Sequence, residues 1–127
     1  MRILIADDQK SVGTSLADLV RLCDHQVVEV VATGMDAIQA YERHHPDCVL
    51  MDFRMPKLNG VTACRYIMAK HPDARVILVS GLSPALEPRD TGAKAILAKP
   101  VALGMLEAAL QTATEPPPKE EAAASAV

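Results

Sequence analysis

The sequence predicts a three-layer, doubly wound α/β fold built on a five-stranded parallel sheet. Two observations lead to this fold class. Short apolar runs rich in Val, Ile and Leu recur along the chain, and segments with helical apolar spacing separate most of them. Nearly unbroken apolar runs are typical of strands buried on both faces, and right-handed crossovers then place helices on both sides of the sheet. The five runs are residues 3–6, 27–32, 48–51, 76–79 and 93–98.

Four segments between or after these runs carry one apolar stripe each, as helices that cover a sheet do. Boundary signals agree with them: Thr33 with Asp36 resembles a capping box, and Asn59 opens the third helical segment. The order is therefore strand then helix, repeated. The stripes are Val12, Leu16, Leu19 and Val20; Met35, Ile38 and Tyr41; Val61, Cys64 and Met68; and Leu103, Leu106 and Leu110.

The fourth crossover and the end of the chain depart from this regular pattern. Pro84 and Pro88 restrict any helix between strands four and five to one or two turns, so we expect a short or irregular fourth helix. Residues 114–127 are rich in Pro, Glu and Ala and cannot bury enough surface to order themselves. The expected organisation is one domain, residues 1–113, followed by a flexible tail, residues 114–127.

Composition excludes several classes of function. The 13 basic and 16 acidic residues give a net charge of −3, which argues against nonspecific nucleic-acid binding. Phe53, Tyr41 and Tyr66 are the only aromatic residues, too few for a base-stacking surface. The three cysteines form no C-x-x-C pair, which favours reduced core thiols and a cytoplasmic location. No apolar run is long enough to span a membrane.

Acidic, basic and hydroxyl side chains follow the predicted strands at their carboxyl ends. Asp7 and Asp8 follow strand one, Asp52 follows strand three, Ser80 follows strand four and Lys99 follows strand five. Ligands of open α/β sheets bind in the crevice at this edge, so these five side chains should converge there. Clustered carboxylates need a neutralising cation, and their oxygen ligands suit Mg²⁺.

A metal on one side of Asp52 and the Lys99 ammonium on the other would form a place to hold a phosphoryl group. Phosphoryl transfer requires mainly positioning and the offsetting of charge on the equatorial oxygens. A metal, a lysine and the Ser80 hydroxyl could supply both. Asp52 would then be the nucleophile that forms an acyl phosphate.

These residues in this order resemble the response-regulator receiver family of two-component signalling, of which CheY is a member. The likeness covers about residues 1–113 and implies the flavodoxin-like strand order 2-1-3-4-5. An acidic pair, a later Asp, a Ser and a Lys-Pro, each at the end of a predicted strand, make a specific joint signal. The residues that carry it are Asp7, Asp8, Asp52, Met55, Pro56, Gly60, Ser80, Lys99 and Pro100.

The resemblance implies a role for each site residue. Asp8 and Asp52 would ligate Mg²⁺ directly with the backbone carbonyl of Arg54, while Asp7 would act largely through water. Ser80 would hydrogen-bond the phosphoryl group. Lys99 would pair with a phosphoryl oxygen, or with Asp52 before phosphorylation, and the peptide bond between Lys99 and Pro100 would be cis.

The resemblance also implies a phosphoacceptor protein of the cytoplasm rather than an enzyme, one that catalyses its own phosphorylation and dephosphorylation. Its phosphate would come from a sensor histidine kinase or a histidine phosphotransfer protein. Phosphorylation would switch a surface that binds a downstream protein, whose identity the sequence does not give. Neither nucleic acid nor a membrane is an expected partner.

The sequence departs from the family pattern in the region that transmits the signal. Receivers usually carry a Tyr or Phe three residues before the lysine, where this chain has Ile96. The interval from Ser80 to Lys99 is also a few residues shorter than usual. We therefore expect the phosphorylation chemistry to be retained and transmission to be altered, through order and disorder in residues 81–92. Leu82 and Arg54 would flank the path of water to the phosphoryl group.

Three other functions compete with this one. A receiver-like binding module that no longer depends on phosphorylation would also explain Ile96. A haloacid-dehalogenase-type phosphohydrolase uses a D-x-D pair, but Arg54 stands where its second Asp would be. Flavin binding needs a phosphate loop after strand one, which is absent.

A metal site at His44, His45 and Cys48 matches no usual zinc spacing, and a helix cap is the favoured interpretation of that segment.

Overall fold

The computed structural model describes residues 1–55, 57–81 and 91–114 of the chain. Within these residues strands and helices alternate, except across the fourth crossover, where residues 82–90 lie outside the description. The elements are β1 (Arg2–Ala6), α1 (Lys10–Leu22), β2 (Gln26–Val31), α2 (Gly34–His44), β3 (Cys48–Asp52), α3 (Gly60–Lys70), β4 (Val76–Ser80), β5 (Ala95–Ala98) and α4 (Leu103–Thr114).

The five strands form one sheet in the order β2-β1-β3-β4-β5, and every neighbouring pair is parallel. The predicted fold class and the strand order 2-1-3-4-5 are therefore confirmed. The register brings Ile5 opposite Leu50 and Leu78 opposite Ile96. Because all strands run the same way, their carboxyl ends share one edge of the sheet.

Alternating side chains of the central strands fill two separate cores, one on each face of the sheet. On one face Leu4, Val49 and Leu78 pack with residues of α2 and α3. On the other face Ile5 and Leu50 pack with residues of α1 and α4. All five of these side chains are fully buried, which explains why the apolar runs show no polar alternation.

Side-chain caps define the starts of two helices, as the sequence indicates. Thr33 Oγ1 accepts a hydrogen bond from the Asp36 backbone N–H at 3.0 Å, and Asn59 Oδ1 accepts one from Thr62 at 2.9 Å. His45 ends α2 in the left-handed conformation, which confirms the helix-cap interpretation of that segment.

Two glycines allow helices to approach the loop that follows β3. A Cβ at Gly34, the first residue of α2, would overlap the backbone carbonyl of Leu58. A Cβ at Gly60, the first residue of α3, would overlap the backbone carbonyl of Asp52. The start of α2 thus lies against Leu58, and the start of α3 lies against the end of β3.

The three cysteines are free thiols. Cys48 and Cys64 are fully buried, and burial raises the pKa of Cys48 to about 12 and that of Cys64 to about 11. The Cys64 thiol donates a hydrogen bond to the backbone carbonyl of Thr91. Cys48 and Cys64 are therefore core thiols, whereas Cys23 is only partly buried.

The fifth strand begins two residues later than predicted, at Ala95 instead of residue 93. Gly92 has a positive φ of 83°, and the Ala93 N–H bonds to Thr91 Oγ1. Residue 93 therefore belongs to a turn, and strand pairing starts where Ala95 faces Ile77. Elsewhere the predicted strand limits agree to within one residue.

Several predictions concern residues outside the description, namely Pro56, the fourth crossover at 82–90 with Leu82, and residues 115–127. The short or irregular fourth helix and the flexible tail stay predictions for that reason. The last helix, α4, continues through Thr114, the first residue of the predicted tail. None of the described helices has both the length and the apolar character that crossing a membrane requires.

Candidate functional site

The carboxyl edge of the sheet brings together the side chains that the sequence singles out. Asp52 and Ser80 are the last residues of β3 and β4, and Lys99 follows β5. These three and Asp8 line one depression of about 370 Å³, at whose edge Asp7 also lies. Gln9, Phe53, Arg54 and Gly81 complete its lining.

Three carboxylates cluster at this site. One oxygen from each of Asp7, Asp8 and Asp52 lies within 4.8 Å of the others. Asp7 and Asp52 are only 2% and 6% exposed, whereas Asp8 is exposed. Buried carboxylates at this separation repel one another, and hard oxygen donors are the ligands that Mg²⁺ takes. The donor set therefore fits a divalent cation bound from the solvent side.

Lys99 forms ion pairs with two of the three carboxylates. Its Nζ lies 3.0 Å from Asp7 Oδ2 and 3.3 Å from Asp52 Oδ1. Asp7 Oδ2 is fully buried and has no other hydrogen-bond donor among the residues that the structure describes, while Asp7 Oδ1 accepts from the Gln9 backbone N–H at 2.9 Å. The pairing with Asp52 was expected, but the shorter one with Asp7 was not.

Burial and charge shift the pKa values of the paired groups. Burial raises the pKa of Asp52 and the Asp7 carboxylate raises it further, against the opposing effects of Lys99 and of a hydrogen bond from the Arg54 backbone N–H. Burial acts to lower the pKa of Lys99, but Asp7 and Asp52 together outweigh it, so that pKa is raised. The ammonium is thus held charged beside a carboxylate whose ionisation is disfavoured.

The backbone around Ser80 and Lys99 ties the ends of β4 and β5 together. Ser80 is 4% exposed, and its carbonyl accepts a hydrogen bond from the Lys99 N–H at 2.8 Å. The peptide bond between Lys99 and Pro100 is cis, as predicted. Ser80 and Lys99 both line the depression.

Ile96 lies in β5, three residues before Lys99. It is half-buried and packs against the core shared by α2 and α3, opposite Leu78 of β4. An aliphatic side chain in this position fills the core and offers no ring to move between buried and exposed orientations.

Sequence reasoning gave Gln9 no place in the site, although it lines the depression. Its position directly after the two aspartates was the available signal. His44, His45 and Cys48, for which the sequence favours a helix cap over a metal site, lie apart: His44 Nε2 contacts Glu29 Oε1 at 2.7 Å, the His45 ring lies against Tyr41, and Cys48 is buried in the core.

An apolar groove adjoins the depression. Val12, Leu16 and Leu19 of α1 form one wall, and Pro100 and Val101 form the other. Its volume is about 420 Å³, and it shares Gly81 and Lys99 with the site. An apolar surface therefore leads directly to the cluster of charges.

The family model described as "Response regulator receiver domain" matches residues 3–111. The chemotaxis protein CheY of Listeria monocytogenes is 31% identical over 118 residues, which is 91% of this chain and 99% of that protein. CheY of Bacillus subtilis is 34% identical over 102 residues, 78% of this chain and 85% of that protein.

Solved structures agree with these sequence matches. A chain in the crystal structure of the CheX-CheY-BeF3-Mg²⁺ complex from Borrelia burgdorferi is 26% identical and superposes with a TM-score of 0.86. The match covers 91% of this chain and 90% of that one.

Proposed function

Since this chain belongs to the response regulator receiver domain family, we propose that Asp52 accepts a phosphoryl group from a phosphohistidine and that this switches a protein-binding surface. The observation that carries the proposal is the Lys99 ammonium, 3.3 Å from Asp52 Oδ1 in a depression that Asp8 and Ser80 also line. A carboxylate flanked by an ammonium and by metal-type ligands is equipped to become an acyl phosphate.

In the proposed reaction a carboxylate oxygen of Asp52 attacks phosphorus, and the bond between phosphorus and the donor imidazole nitrogen breaks. The imidazole leaves with the bonding electron pair and takes a proton. Lys99 pairs with a phosphoryl oxygen, and the Ser80 hydroxyl donates a hydrogen bond to another. Asp7 then has to share its ammonium, because the same Nζ now serves the phosphoryl group.

Asp8, Asp52 and the Arg54 carbonyl would hold Mg²⁺, with Asp7 acting largely through water. The ion would supply positive charge against the phosphoryl oxygens. The Asp cluster supports this assignment because its oxygens are close enough to share one cation, and because burial leaves Asp7 and Asp52 little water to offset their charge.

The donor would be a sensor histidine kinase or a histidine phosphotransfer protein, docked in the apolar groove. The groove supports this because it is continuous with the site through Gly81 and Lys99. Leu19→Glu should slow phosphorylation by a phosphohistidine protein without slowing it by acetyl phosphate. Leu22→Glu is the matched control, since Leu22 ends the same helix, is 67% exposed and does not line the groove.

The output would be a contact with a downstream protein in the cytoplasm, made through residues 81–92 and the adjoining strand. The protein would act as a phosphoacceptor with self-catalysed gain and loss of the phosphoryl group, not as a turnover enzyme. Ile96 supports an altered route of transmission, because a packed aliphatic side chain cannot replace the motion of a ring.

Ile96 also favours a second candidate function, a receiver-like interaction module whose binding does not depend on phosphorylation. Incubation with acetyl phosphate and Mg²⁺ followed by intact-mass analysis separates the two. The first proposal expects a gain of one phosphoryl group in the wild type and in Asp18→Asn, an exposed aspartate of α1, but none in Asp52→Asn. An unmodified wild type that does not accelerate turnover of the donor would favour the second.

A further inference from the structure

Gln9 is fixed at the rim of the depression by its backbone. It is the residue before α1, and its N–H donates to Asp7 Oδ1 at 2.9 Å. Its side chain is exposed and does not cap the helix. The amide therefore lies at the solvent side of a depression that also contains Asp52 and Arg54.

An amide differs chemically from the charged side chains around it. Lys99 and Arg54 can only donate hydrogen bonds, and an ionised Asp8 can only accept them. The Gln9 carboxamide does both. A water molecule that attacks phosphorus must direct a lone pair inward, which an acceptor for one of its protons can arrange, and a glutamine has this role in some phosphoryl-transfer sites.

We propose that Gln9 positions the water that hydrolyses phosphorylated Asp52 and thereby sets the lifetime of the phosphorylated state. This inference rests on the proposed function. The water oxygen forms a bond to phosphorus while the bond from phosphorus to the Asp52 oxygen breaks. The carboxylate recovers its electron pair, inorganic phosphate leaves, and a water proton passes to phosphate or solvent.

The location of Gln9 suits this step better than the step that loads the site. Water must approach from the side of phosphorus opposite the Asp52 oxygen and must come from solvent, and Gln9 is an exposed residue of the lining of the depression. Loading needs no water nucleophile. Removal of the amide should therefore slow loss of the phosphoryl group and leave its gain from a small donor unchanged.

The test loads the protein with acetyl phosphate and Mg²⁺, removes the donor by rapid desalting, and follows the phosphoryl mass over time. We expect Gln9→Leu to slow the decay by on the order of tenfold, less than the roughly 10²–10⁴-fold that a general acid or base contributes, because the amide orients the water without taking its proton. Gln39→Leu is the matched control, because Gln39 is exposed on α2 and does not line the site; its decay should equal that of the wild type.

Two comparisons distinguish this inference from a structural effect and from the proposed function. Gln9→Leu should load at the wild-type rate and unfold at the wild-type urea midpoint. If the wild type loads but phosphorylated Gln9→Leu decays as fast as the phosphorylated wild type, the role of Gln9 is overturned and the proposed function is not. Equal slowing of loading and decay would also overturn it, since that indicates a distorted site. A wild type that never loads would overturn both proposals.

Discussion

The start of α3 lies directly against the end of β3: a Cβ at Gly60 would overlap the backbone carbonyl oxygen of Asp52, the proposed phosphoacceptor. The β3 backbone and the start of α3 are both held in the fold, so neither can move away to make room for a side chain. The close approach of α3 to Asp52 therefore depends on glycine at position 60. Because the overlapping atoms at Asp52 belong to the backbone, rotation of a side chain could not relieve the overlap.

Gly60→Ala should lower the free energy of unfolding by about 1–3 kcal/mol, the usual cost of overpacking. Gly104→Ala is the control, since no atom lies within 4 Å of its added Cβ and it occupies a helix. Gly104→Ala should raise the free energy of unfolding by about 0.5–1 kcal/mol, because glycine is less favourable than alanine in a helix. Urea titration followed by circular dichroism measures both, and equal midpoints for the two variants would contradict the prediction.

Lys99→Met should destabilise the protein by about 2 kcal/mol, because it leaves the buried Asp7 carboxylate without its cation. The cost should fall by at least half in an Asp7→Asn background. Lys94→Met, which removes an exposed lysine just before β5, should cost little. Because the pKa of Lys99 is raised, the stabilisation is present at neutral pH and is lost as pH rises through that pKa. Additive effects in the double mutant would refute the coupling.

Asp52→Asn should stabilise the metal-free protein near neutral pH. The folded-state pKa of Asp52 lies above its unfolded value, chiefly through burial, so the folded chain binds the proton more tightly. Ionisation of Asp52 thus costs stability, a cost absent below the usual Asp pKa of about 4 and present above the folded pKa. The urea midpoint of the variant should exceed that of the wild type at neutral pH and approach it in acid. A lower midpoint at neutral pH would show that Asp52 stabilises the fold.

Mg²⁺ should raise the stability of the wild type by about 2.7 kcal/mol at one hundred times its Kd. Asp8→Asn should weaken this effect, because Asp8 contributes one of the three clustered oxygens, while Asp18→Asn should keep it. Thermal unfolding at constant ionic strength measures the shift. An equal shift in all three proteins would mean that the ion acts elsewhere.

The sequence predicts the convergence of Asp52, Ser80 and Lys99 because parallel strands end at one edge of the sheet, and apolar runs reveal where strands lie. It does not predict that Lys99 approaches Asp7 more closely than Asp52. That choice depends on the relative positions of β1, β3 and β5, which no local pattern contains.

The close approaches of Gly34 and Gly60 are also beyond local patterns. A glycine at the start of a helix is compatible with many environments, and only the packed loop shows that a Cβ would meet a carbonyl. The Tyr41 and His71 rings, 5.0 Å apart, likewise join two helices distant in sequence. Such contacts follow from tertiary packing, whereas helix caps and strand runs are local and could be predicted.

The buried thiols of Cys48 and Cys64 can report local unfolding of this protein, which contains no tryptophan. Alkylating reagents attack thiolates, and burial suppresses both access and ionisation at these two positions. Cys48 lies in the central strand β3 and Cys64 in the helix that begins beside Asp52. Their labelling rates would therefore follow, separately, exposure of the middle of the sheet and detachment of the helix that supports the site.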